Sequence, residues 1–423
     1  MREDFLHYLW KFKKFQATNI RTDSGDNIQI LALGEHNHNA GPDFFNARIK
    51  IGDQLWAGNV ELHIKSSDWF LHGHETDKAY DNVILHVVWE HDTLVFRKSN
   101  TAIPTLVLKN YVKNELLLNF HNLFQGRNTW INCENDFPYV DNFKMSHWME
   151  RLYFERLEDK AKPILLLLDQ SKNDWEAVLF KMLCRSFGSK INGDAFFSLA
   201  NSINFSVIRK TQSNLLELEA LFMGQAGLLE NDSQTAYHQG LKQGYHFLKQ
   251  KFNLNRDQVL PIQFFRLRPL NFPSIRLVQL ASLYHQHSNL FSKILDLKSK
   301  EDFYDLFHVS ASEFWDTHYT FDASSRHSKK TTSKPFIDLL LINTIIPMVF
   351  CFQQKQGRQG EAFILELAKT IGSESNSIIS GYKHLNYKAQ SALESQALIQ
   401  LNTQYCNKNR CLHCAIGNSL LSR

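Results

Sequence analysis

The 423-residue sequence has no long uninterrupted apolar run, few cysteines and little imbalance of charge. Its first stretch, MREDFLHYLWKFKKF, mixes Asp and Glu with its basic residues and has no apolar segment, so no signal peptide is expected. The longest apolar run, Phe336 to Phe352, contains Asp338, Asn343 and Pro347. It is too short and too polar for a membrane span and reads as a buried core helix. Without a signal peptide, disulfides are not expected among the six cysteines. No Gly-rich phosphate loop, no local Ser-His-Asp or Cys-His motif and no repeat of fixed period occurs. The formal charge of +4 permits nucleic-acid binding without indicating it. These absences point to a cytoplasmic protein with no membrane partner.

What is present is apolar enough to fold. Hydrophobic residues make up 43% and charged residues 21%, which supports a large core and two or three domains. Apolar spacing predicts an amphipathic helix from Glu3 to Phe15. Strands follow from Asn27 to near Gly34, from Phe44 to Gly52 and from Leu55 to Lys65, with Gly58 as the mark of a bulge. A polar connection with one short helix leads to a fourth strand, NVILHVVWEHD, and a fifth, TLVFRKS. The expectation is a mixed α/β (α+β) domain over residues 1–125. From about Tyr139 helical patterns succeed one another, so residues 126–423 read as an α-helical region ending in a Cys-rich tail.

The chemistry concentrates between Gly34 and Trp69. Glu61, His63 and Lys65 stand at alternate positions of one strand and therefore face one way, where Asp43 can join them. Carboxylates there suit Mg²⁺ or Mn²⁺, which activate water and neutralise a phosphate. Asp43 and Glu61 are the candidate ligands, Glu35 a third carboxylate, and His63 or Lys65 the group that assists the water. The competing reading is a strand pair whose polar face is merely solvated.

Pro42-Asp43, followed by Glu61-Leu62-His63 within GNVELHIKSSDW, resembles the motif of the PD-(D/E)XK nuclease superfamily. That resemblance implies a mixed sheet of nuclease type in the first domain, with Asp43 and Glu61 binding metal and nucleic acid as substrate. It implies a metal-dependent phosphodiesterase or nuclease. The superfamily's lysine position holds His63 here, and Lys65 lies two residues on. Loss of the lysine gives the alternative, a non-catalytic nucleic-acid-binding or protein-interaction scaffold. The whole chain also resembles an uncharacterised bacterial family of unknown function, through GPDFFNARI, YDNVILHVVWEHD, RPLNFPSIR and CLHCAIG.

Further metal donors are scattered nearby. His36, His38, His72, His74, His86 and His91 crowd the first domain, with the pairs His72/His74 and His36/His38 as candidate transition-metal ligands. His86, inside an apolar strand, reads as a structural histidine. In the tail, Cys406, Cys411 and Cys414 have the spacing C-x4-C-x2-C, which suits Zn²⁺ or an iron–sulphur cluster. Cys133 is the best fourth ligand and His413 the next, while free reduced thiols remain the alternative. Arg266, Arg268 and Arg276 offer forks for phosphate or, more simply, for neighbouring carboxylates and helix ends.

Overall fold

A computed structural model describes residues 1–37, 39–124, 129–357 and 360–422. Its contacts divide the chain into two compact units, Met1–Trp148 with Leu401–Arg423, and Met149–Gln400.

The first unit opens with helix α1 (Glu3–Lys11), which buries Phe5, Leu6, Leu9 and Trp10 on one face. Its acidic first turn and terminal Lys11 suit the helix dipole. The helix stops before the expected Phe15, because Lys13 adopts a left-handed φ of 50°. A seven-stranded mixed sheet follows. Its strands are β1 (Ile20–Arg21), β2 (Asn27–Ala32), β3 (Glu35–His36), β4 (Phe44–Ile51), β5 (Gln54–Lys65), β6 (Val83–Glu90) and β7 (Thr105–Val107). The order is β1-β2-β4-β5-β6-β7, with β3 pairing β4. Strands up to β5 pair antiparallel, whereas β6 runs parallel to β5 and β7 parallel to β6.

The pattern of each strand explains its place. In β6 the run from Val83 to Trp89 is buried throughout, as expected of a strand covered on both faces. Between β5 and β6 the polar connection holds helix α2 (Asp68–Leu71) and closes over Trp69, Tyr80, Val83, Val95 and Ile103, which form a small core. Asp92 ties the ends of the two parallel strands by accepting from Ser66 Oγ (2.9 Å), Ser67 N (2.9 Å) and Ser67 Oγ (2.7 Å). The fifth strand expected over TLVFRKS is not formed. Phe96 makes only an isolated bridge to Ala102, and the next strand is β7, because its Thr105 and Leu106 are the buried residues. The bulge expected at Gly58 is close to place: the β5–β6 register shifts between Asn59 and Val60.

The rest of the first unit is helix α3 (Asn114–Phe124), the start of helix α4 (Asn142–Gln170) and the returning tail from Leu401. The second unit is built from helices. Its helix Pro273–Gln286 is buried from Pro273 to Tyr284. Buried Arg276 donates to Gln279 and Asn271 and stacks on Phe336, so its fork is used internally. Among the described residues one helix, Lys334–Lys355, has the length and composition to cross a membrane, and its most apolar window is 72% buried inside the protein.

Candidate functional site

Strand alternation carries Glu61 and His63 to one face of β5, and the parallel register sets His86 of β6 opposite Glu61. All three side chains are buried, at 4%, 1% and 0% exposure. Three such polar groups inside an apolar sheet must satisfy one another or a ligand.

Asp43, one residue before β4, locks onto Glu61. Its backbone N–H donates to Glu61 Oε2 at 3.0 Å, and its Oδ2 accepts the Leu62 N–H at 3.0 Å. The two carboxylates are thereby held side by side. From α1, His7 places Nε2 3.1 Å from Asp43 Oδ2. Glu3, one turn earlier, completes a group with His7 and Asp43 whose donor atoms all lie within 4.8 Å of one another.

Imidazoles gather on the other side of Glu61. The connection after β5 turns back so that His72 Nδ1 stands 3.1 Å from His63 Nε2. His74 Nε2 lies 3.4 Å and His63 Nε2 3.6 Å from Glu61 Oε1. Behind them, His63 Nδ1 meets His86 Nε2 at 2.9 Å. Aromatic packing fixes the rings: His74 stacks on Tyr80 with centroids 3.7 Å apart, and Trp69 lies 5.4 Å from His74 and 5.5 Å from His86.

Burial sets the protonation states. It pushes Glu61 up to about 6, aided by the charge of Asp43 and opposed by the His74 hydrogen bond. It pushes His63 down to about 3, aided by His74 and His72, and lowers His86 as well. His63 is therefore neutral near pH 7, the form that ligates metals. Burial also opposes the charge on His7, but the hydrogen bond and charge of Asp43, with Glu3 and Glu61, outweigh it and raise its pKa.

The donor set fits a metal ion. Ligands bound tetrahedrally at zinc-like distances lie roughly 3.3–3.5 Å from one another. The contacts of 3.1, 3.4 and 3.6 Å among His63, His72, His74 and Glu61 are close to such edges. Imidazoles with one carboxylate suit Zn²⁺ or Mn²⁺ better than Mg²⁺. The oxygen-richer group of Glu3, His7 and Asp43 suits Mg²⁺ or Mn²⁺.

Of the residues singled out in the sequence, Asp43, Glu61 and His63 come together here. Lys65 does not join them: it is exposed at the end of β5, where its backbone N–H donates to Asp68. Glu35, exposed on β3, lines a separate groove with Gly34, Asn46, Arg48 and Asn82. His72 and His74 join the cluster, and His86, expected to be a structural histidine, is buried against His63. His36 packs on Phe44 with centroids 4.9 Å apart, and His38 lies outside the described residues. Sequence reasoning missed His7 and Glu3. Their signal was the i, i+4 spacing on the first helix, visible only as polar positions between apolar ones. Cys133, Cys406, Cys411 and Cys414 line a different, small cavity.

A family model described as "Protein of unknown function (DUF2851)" matches residues 3–377. No curated protein and no solved structure matches the chain.

Proposed function

The chain belongs to this family of unknown function, and we propose that its first unit is a metal-dependent phosphodiesterase of nuclease type acting on nucleic acid. The observation that carries the reading is the interlocked Asp43–Glu61 pair, flanked by imidazoles on one side and by Glu3 and His7 on the other. A helix, an antiparallel hairpin and a parallel strand surround that pair, in agreement with the resemblance to PD-(D/E)XK nucleases. A bound divalent ion would supply Lewis-acid activation of the phosphoryl group and a hydroxide nucleophile.

The chain's own residues then have distinct tasks. Glu61 Oε2 stays anchored to the Asp43 N–H while Oε1 faces the imidazoles, so one carboxylate serves both sides. His63 presents Nε2 to the site and is oriented through Nδ1 by His86, the arrangement that fixes a ligating ring. His7, held toward its protonated form by Asp43, is placed to neutralise phosphate charge where the superfamily would use lysine.

The test uses the full-length protein with bis(p-nitrophenyl) phosphate, labelled DNA and labelled RNA, each with Mn²⁺, Zn²⁺ or Mg²⁺. Wild type should cleave at least one substrate, and Glu61→Gln should lose roughly 100-fold or more of the rate. Equal background rates in both proteins would favour the non-catalytic scaffold, the reading suggested by the exposed Lys65.

A further inference from the structure

The tail that closes the first unit brings Cys406, Cys411 and Cys414 to the same cavity as Cys133. Sequence separates Cys133 from the tail by the whole second unit, yet the fold reunites them. None of the four is in a disulfide, and Cys133, Cys411 and Cys414 are buried. The cavity they line has a volume of about 20 Å³, space for about one water-sized particle.

Polar groups also adjoin the thiols. Asn132 Nδ2 donates to Cys411 Sγ at 3.4 Å. Backbone N–H groups of Ile416 and Gly417 lie toward Cys414, and the buried Trp148 indole N–H has no hydrogen-bond partner among the described residues. A Cβ at Gly417 would lie 2.1 Å from the Cys411 carbonyl oxygen, so the turn holding Cys411 and Cys414 closes only over glycine.

We infer that Cys133, Cys406, Cys411 and Cys414 form a structural metal centre that takes one Zn²⁺ through four thiolates. The C-x2-C pair would supply two ligands, and Cys406 and Cys133, which line the same cavity, the other two. Binding releases the thiol protons to solvent and forms Zn–S bonds with no change of oxidation state. The cavity suits a single ion rather than a multi-atom cluster. Its consequence is mechanical: the metal would fasten the returning tail to the segment that follows α3. It is independent of the Asp43–Glu61 site.

The experiment is metal analysis and zinc-edge X-ray absorption on full-length protein purified anaerobically without added metal. The expected result is one sulphur-bound zinc per chain, with Zn–S distances of about 2.3 Å. Cys133→Ser and Cys411→Ser should each lose it, and Cys184→Ser, buried elsewhere, should keep it. If a serine variant does not fold, titration of folded wild type with a mercurial reports instead, and should release one zinc as the tail thiols react. Zinc bound only by nitrogen and oxygen, iron with labile sulphide, or protein without metal would each overturn the assignment.

Discussion

Glu61 works in two directions at once, and each of its neighbours has a separable effect. Oε2 is engaged by the backbone of Asp43, and Oε1 faces His63 and His74. His86 touches the site only through His63, so it is a positioning residue. His86→Leu should weaken Mn²⁺ or Zn²⁺ binding about 10–100-fold, read by calorimetric titration, while the fold survives because its strand neighbours Leu85 and Val87 are buried apolar residues. Unchanged affinity would remove His86 from the site. Protonation gives a second expectation. His63 folds with its pKa near 3 against an ordinary 6.5, so between those values the unfolded chain binds more protons than the folded one. Stability of the metal-free protein must then fall as pH drops from 6.5 toward 3, with a slope of up to about 1.4 kcal/mol per pH unit for this group. Glu61, raised to about 6, opposes this between its ordinary 4.5 and 6, where the folded state binds the extra proton. Ring NMR signals of His63 should show the neutral form down to pH 5, and a transition near 6.5 would contradict the account.

Elements decide which of these residues could be foreseen. Asp43, Glu61 and His63 were legible because hairpin alternation is a local rule: period two fixes a face without knowledge of what packs on it. His7 and Glu3 were not, because their role depends on how α1 docks on β5, a contact no local pattern encodes. His72 and His74 sit in a polar connection with no periodicity, so their return onto Glu61 is set by burial of Trp69 and Tyr80 beneath them. Lys65 shared the correct parity with Glu61 but lies where β5 reaches solvent, and parity says nothing about depth. The expected strand over TLVFRKS failed for a related reason, since only Val95 of its first apolar residues is buried and Leu94 is exposed. Gly58 carries the sharpest element-scale prediction. A Cβ there would lie 2.4 Å from Ile84 Cγ2 and 2.6 Å from the Asn82 carbonyl oxygen, at the start of the parallel pairing. Gly58→Ala should destabilise by about 1–3 kcal/mol in chemical denaturation. A neutral result would mean that β5 and β6 can part there without loss.

At the scale of the molecule, the first unit is discontinuous in sequence, made of Met1–Trp148 and Leu401–Arg423. The tail contributes buried Leu401, Leu412, Ile416, Leu420 and Leu421 to that unit. Deleting residues 401–423 should therefore raise hydrogen exchange in the sheet and α3 while leaving the helices of Met149–Gln400 protected. Uniform loss of protection in both units would show that they do not fold as separate cores. The sequence suggested a sheet domain followed by helices, and the structure has both. The return of the last residues to the first unit was not legible, because it is a contact between distant segments that only the Cys133 pairing hinted at.

The proposed function requires that Glu61, with Asp43 and the neighbouring histidines, hold a metal. Anomalous diffraction at the manganese edge, on crystals soaked in Mn²⁺, tests it most directly. The account predicts a peak within coordination distance of Glu61, adjoining His63, His72 and His74 or Asp43 and Glu3, and its loss in Glu61→Gln. Manganese bound elsewhere with this cluster empty, or a peak unchanged in Glu61→Gln, would contradict it.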